Sequence, residues 1–166
     1  MIISSTEADW TREKVVLGRY EPGKYLLSSI RRYQRLKSRN GMAARLAVPF
    51  QVLLHRFWSA VSGADIPLDS EIGGGLLIPH PNGIVIHPRA KIGPNCLIFQ
   101  QVTIGAGPEE GLPDIGGHVD IGAGAKIIGG VHIGAHARIG ANAVVLEDIP
   151  VCSTAVGIPA KVRRTT

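Results

Sequence analysis

One histidine stands apart in this chain. His80 lies in the stretch LLIPHPNGIVIHPRAKIG, residues 76–93, inside an irregularity of an otherwise regular pattern. An imidazole titrates near neutrality, so it takes up and gives back a proton or ligates a metal where other side chains do not. His132 and His136 are four apart, a spacing that would pair two zinc ligands on a helix but not on a coil of short strands. With His87 and His118 they read as exposed corner residues. Cys96 and Cys152 are far apart in sequence and suit two free thiols in a reducing cytoplasm better than a disulfide framework. Cys96 falls on a small-residue position of the pattern and reads as packing rather than as a nucleophile.

The elements that must position these groups follow from a repeat. Aliphatic residues recur every sixth position at Ile66, Ile72 and Ile78, then at Ile86, Ile92, Ile98 and Ile104. They resume at Ile115, Ile121, Ile127, Ile133, Ile139, Val145 and Val151. Four residues after most of them comes a small or β-branched side chain, among them Ser70, Ala90, Cys96, Ala125 and Ala155. A helix wants spacings of three and four and an alternating strand wants two, so six fits neither. It fits a coil of short strands and tight corners, three units and about eighteen residues to the turn, in which each aliphatic stacks on the one a turn away.

Two faults interrupt the count. Ile78 to Ile86 takes eight residues instead of six, with His80 in the slip. Ile104 to Ile115 holds a Gly/Pro/acidic stretch, GAGPEEGLPD, which must leave the coil as a loop spanning 105–114. Insertions of this kind often map to the binding face.

Residues 1–62 are different in kind. They predict two helices, over about 23–36 and 42–61, the second broken or kinked by Pro49. The first carries the basic run RRYQRLKSR, and the formal net charge of the chain is +5. That helix face reads as solvated, with contact to an anionic partner or lipid headgroups as the alternative. Without interleaved aromatics the basic run does not point to nucleic acid. The N-terminus has acids and no apolar run of a secretory signal, and no stretch is apolar enough to span a bilayer, so a cytoplasmic protein is expected. The expected organisation is a helical segment, 1–62, followed by a coil domain, 63–166.

The repeat resembles the hexapeptide-repeat acyltransferases, and within them most closely the serine acetyltransferase-like family. The matching phrases are GADI (63–66), HPNGIVI (80–86), QQVTIG (100–105), IGAGAKIIGGVHIG (121–134) and VGIPAKV (156–162). The resemblance implies a mainly β fold, a left-handed parallel β-helix behind a short helical region; the crossover rule for parallel strands would give the opposite hand. It implies transfer of an acetyl group from acetyl-CoA, as co-substrate and without a metal, to a hydroxyl. His80 takes the role of general base and Asp65 that of the carboxylate behind it. A base near neutral pKa is what an attacking alcohol needs, and a carboxylate on the far ring nitrogen fixes the tautomer. Gly105 is implied as the backbone donor to the tetrahedral oxyanion. Gly122, Ala123 and the GIPAK corner are implied in holding CoA between subunits of a homotrimer, with Arg138 and Lys161 toward its phosphates.

The sequence also departs from the serine enzymes. Where they carry Asp before the catalytic histidine, this chain has Pro79, and where they carry an Arg-His pair ahead of the restart of the repeat it has Gly111 and Leu112. Selecting a charged amino acid needs charged partners. The expected acceptor is therefore a small hydroxyl-bearing compound, favoured as a sugar or polysaccharide precursor, with serine as the alternative. Lesser readings are a γ-class carbonic-anhydrase-like protein using His80, His118 and His136, and a non-catalytic assembly subunit of the same fold. Peripheral membrane contact through the basic helix completes the expected partners.

Overall fold

A computed structural model describes residues 3–16, 18–39, 41–108 and 110–163. A 3₁₀ turn (Trp10–Glu13) precedes helix α1 (Pro22–Lys37) and helix α2 (Met42–Ser62). Thirteen short strands follow among the described residues: β1 (Glu71–Ile72), β2 (Val85–Ile86), β3 (Lys91–Ile92), β4 (Leu97–Ile98), β5 (Thr103–Gly105), β6 (Asp114–Ile115) and β7 (Asp120–Ile121). The remainder are β8 (Lys126–Ile128), β9 (His132–Ile133), β10 (Arg138–Ile139), β11 (Val144–Val145), β12 (Thr154–Gly157) and β13 (Ala160–Arg163).

The strands form three sheets, ordered β1-β3-β6-β9, β11-β8-β5-β2 and β13-β12-β10-β7-β4. All pairings are parallel except β12 with β13, which closes the end as a hairpin. From β2 to β11 the chain visits the three sheets in rotation, so each strand pairs with the one a turn away. The register gives the length of each turn. Val85 pairs with Thr103 and Asp114 with His132, eighteen residues on. Glu71 pairs with Lys91, twenty residues on, and that turn holds the slip. Lys91 pairs with Asp114, twenty-three on, because that turn holds the excursion.

The six-residue aliphatics from Ile66 to Val145 are all buried and share one core, joined by Ala90, Cys96 and Ala125 four positions after them, while Ser70 is buried outside it. A side chain on alternate positions of a two-residue strand can only point in or out, so the spacing decides burial. Val151 is an exception to the expected series. It is 65 % exposed, and Ile149 at 3 % takes the inward place. The last turn is two residues short, Ile133 pairing with Ile149 sixteen on.

The helices close one end of the coil. Pro22 starts α1 at a position where its missing N–H costs nothing. Leu26, Leu27 and Ile30 enter the same core as the coil, and Gly23 lies against Ile78, where a Cβ would meet the Ile78 carbonyl at 2.5 Å. α2 does not break at Pro49 but continues through it to Ser62. It ends at Gly63, which adopts a left-handed φ of 66° and donates its N–H to the Ser59 carbonyl.

Residues 4–13 form a strap over the coil that no periodicity announces. The Asn95 side chain, fully buried, accepts from the Asp9 N–H and donates to the carbonyls of Ser4 and Glu7. Glu13 pairs with Arg31 at 2.9 Å and accepts from the Leu76 N–H, while Arg31 donates to the carbonyls of Ile72 and Gly73. This nearly buried ion pair joins strap, α1 and first turn.

Candidate active site

The two family phrases flanking the slip lie side by side. Asp65 is bridged in parallel to Val85, with the Asp65 N–H donating to Ile84 and the Ile86 N–H donating to Asp65. The Gly83 N–H donates to the Gly63 carbonyl, and a Cβ on Gly63 would meet the Asn82 amide at 2.6 Å. Thus GADI and NGIVI zip together, and Gly63 serves both the end of α2 and the approach of Asn82.

Within the slip, Ile78, Pro81 and Ile84 are buried while Pro79, His80 and Asn82 are exposed. Two extra residues let the chain keep its inward contacts and still push a short turn outward, as a bulge does beside a site. His80 is carried on that turn. Because Val85 is what lies across from Asp65, His80 arrives five residues earlier along the turn, and no hydrogen bond or ion pair joins its ring to the Asp65 carboxylate among the described residues.

Asp65 instead borders an open recess of about 520 Å³ with His55, Arg56, Ser59, Ala60, Gly63 and Val85. The His55 Nδ1 is 3.2 Å from the Ser29 hydroxyl. Burial lowers the pKa of His55, and the Asp65 charge opposes that shift. Sequence reading missed His55 and Arg56. The only available signal was that they precede the GADI phrase by less than three helical turns, which stands the end of α2 over Asp65.

The other candidates are dispersed along the coil. Gly105 ends β5, next to the excursion, and pairs in register with Ile128. The excursion crosses the next turn where Gly107 lies over Gly129 and Gly111 over Gly130; a Cβ on Gly111 would come within 2.6 Å of the Gly130 Cα. This accounts for the paired glycines of IIGGVHIG. Gly122 has both backbone groups engaged inside the coil, its N–H donating to Ile139 and its carbonyl accepting from Ala125. Its N–H is therefore not free to donate to a ligand, and a Cβ there would meet the Ala141 nitrogen of the next turn at 2.6 Å. Ala123 is half-buried and accepts from the Asn142 N–H. Arg138 is exposed, with its Nε 3.9 Å from Asp120, and the Lys161 ammonium bonds the Glu147 carboxylate at 3.0 and 3.1 Å.

His118 and His136 are not free corner residues. They are half-buried neighbours on one corner, Nδ1 to Nδ1 at 2.8 Å with the rings edge to face. His80 does not join them, and no group of three metal-binding side chains occurs among the described residues. Cys96 is buried, with its thiol pushed up to about 11 mainly by loss of hydration, as packing requires; Cys152 is exposed, and both are free.

No protein-family profile matches the chain. A serine acetyltransferase of Staphylococcus epidermidis is 40% identical over 129 residues, covering 76% of this chain and 57% of that relative. The soybean serine acetyltransferase apoenzyme superposes with a TM-score of 0.71 at 35% identity, covering 86% of this chain and 57% of that one. This chain belongs to the serine acetyltransferase-like family. A solved serine acetyltransferase in complex with CoA superposes at 0.72 and 33% identity, covering 87% of this chain and 58% of that one. The family member described here thus spans between half and two thirds of the length of these relatives. No helix among the described residues is long and apolar enough to cross a membrane.

Proposed function

We propose that this chain transfers the acetyl group of acetyl-CoA to a hydroxyl, with His80 as general base. The observation that carries the reading is the slip itself, which exposes one imidazole beside the zipped GADI and NGIVI phrases while Ile78, Ile84 and Ile86 stay in the core. The His80 ring takes the proton as the hydroxyl oxygen attacks the thioester carbon, and the resulting imidazolium returns it to the departing thiolate of CoA. Gly105 donates to the oxyanion of the intermediate. Asp65 acts on the His80 ring in the substrate-bound form, orienting it and stabilising its charge. Ala123, Gly122, Arg138 and Lys161 hold CoA, the last two through its phosphates. The coil is read as a left-handed β-helix over 63–166 behind the helical segment 1–62, three copies forming a cytoplasmic trimer with CoA in the groove between them.

The comparisons support serine as the acceptor better than the sugar expected from the sequence. The similar proteins are serine acetyltransferases, and one of the soybean structures is a complex with serine. A sugar acceptor remains as a second reading because Pro79, Gly111 and Leu112 are uncharged where an amino acid would need ionic partners. Release of free thiol from acetyl-CoA, measured against serine, simple sugars and polysaccharide fragments, separates them. Turnover with serine supports the first reading, turnover with sugars alone supports the second, and no thiol release with any hydroxyl compound refutes both.

A further inference from the structure

The large apolar side chains of α2 face outward. Met42, Leu46, Phe50, Leu53, Phe57 and Val61 are all exposed, Met42 at 81 % and Leu46 at 77 %. Their spacings of four, four, three, four and four put them on one stripe of the helix. The opposite side of α2, with Ala44, Gln51 and Ser62 buried, lies against the rest of the protein. The stripe is therefore held rigidly on a folded body, and it is far larger than the scattered exposed apolar residues common on soluble surfaces.

The charge around the stripe is of one sign. Residues 22–62 contain eight Lys and Arg and no Asp or Glu. Arg45 and Arg56, both exposed, project from one shoulder of the stripe at about 90–110° from its centre by helix geometry. On the other shoulder the groove between the helices is lined by Leu54 together with Arg32 and Arg35. None of these four arginines forms an ion pair among the described residues.

We propose that α2 docks this protein onto an anionic lipid bilayer, its apolar stripe entering the acyl boundary and the arginines on both shoulders reaching the headgroups. An amphipathic helix with aliphatic and aromatic residues on one side and arginines beside them lies in the interface plane in this way. Long basic side chains on the shoulders let the stripe sink while their charges stay in the headgroup layer. A second copy of the chain is the less suitable occupant, because pairing two such stripes gathers arginines with no carboxylate to meet them. The bilayer supplies both the apolar phase and the negative charge, and the helix is not apolar enough to span it.

Flotation of the full chain with vesicles of phosphatidylcholine alone or with about 30 % phosphatidylglycerol tests this, alongside sedimentation velocity without lipid. Binding to the anionic vesicles is expected to exceed that to neutral ones by at least about tenfold, since each basic residue at such a surface adds to the attraction. Leu46→Glu/Phe50→Glu is expected to abolish it, and Arg35→Glu/Arg45→Glu to weaken it about tenfold or more, with the far-UV CD and thermal midpoint of both variants unchanged. Absence of vesicle binding, equal binding to both vesicle types, or a smaller oligomer in Leu46→Glu/Phe50→Glu without any vesicle binding overturns the proposal; the last would assign the stripe to a second copy. None of these readouts depends on acetyl transfer.

Discussion

The turns of the coil that keep strict time and the two that extrude extra residues are built from the same residue types for different ends. Between Ile115 and Val145 every sixth residue is an aliphatic at most 3 % exposed, and strands pair eighteen residues apart. Between Ile78 and Ile86, and between Ile104 and Ile115, the same inward contacts are kept while extra residues are extruded. Regularity holds the fold together; the departures bring unusual side chains to the surface. If that division is right, a substitution in a fault changes chemistry with little effect on stability, and one in a regular turn does the reverse.

The sharpest break of the comparison is at His80. His80→Ala is expected to lower the rate of acetyl transfer by about 10²–10⁴-fold, the usual worth of a general base, with the thermal midpoint unchanged. Thiol-release kinetics beside a thermal melt decide it. A variant that keeps its rate removes the slip from the chemistry altogether. Ile127→Ala is the converse. Ile127 is fully buried in β8 in a regular stretch, and its truncation is expected to cost about 2–5 kcal/mol in urea unfolding. The folded fraction should retain wild-type affinity for CoA.

The second fault gives a smaller effect that links both properties. Gly111 has φ of 121° and lies over Gly130. Gly111→Ala adds a Cβ in a conformation that L-residues avoid, expected to cost about 1–2 kcal/mol before any clash is relieved. Since the excursion must move to accommodate it, the KM for the acceptor should rise more than the KM for acetyl-CoA. Equal change in both would show that the excursion does not border the acceptor.

What the sequence disclosed follows the same division. The repeat alone fixes which aliphatic faces inward, because a strand of two residues leaves no other choice, and it fails only where two aliphatics compete for one place. Ile149 and Val151 are such a pair, and the short final turn selects Ile149. The slip and the family phrases pointed to His80 and Asp65, and the structure puts those phrases side by side without bonding the two side chains. The strap at Asn95, the Glu13–Arg31 pair and His55 beside Asp65 were illegible, since each joins residues far apart in sequence or in different elements with no periodicity to betray them. Nor does hydrophobicity by itself decide burial in α2, where the apolar stripe is the side that faces out.

The mildest test concerns a corner of the regular coil. His118 and His136 occupy equivalent places one turn apart, both with φ near 60°, and share a contact of 2.8 Å between Nδ1 atoms. One ring must be a neutral acceptor for that contact to be a hydrogen bond, so two imidazolium rings are incompatible with it. Burial lowers the pKa of His118, with His136, Arg12 and Arg138 adding to the shift and Asp120 opposing it. A histidine pKa depressed by folding means that the neutral ring favours the folded state. Its contribution is complete above the unfolded value of about 6.5 and is lost as pH falls through the folded value. Stability measured by urea unfolding is therefore expected to decline from about pH 7.5 to about pH 5, with His55 acting in the same sense. His118→Asn keeps a residue that tolerates this backbone, as Asn95 and Asn142 do at φ of 62° and 56°. It should flatten the decline, and a variant with the wild-type slope would transfer the pH sensitivity from the coil corner to His55 on α2.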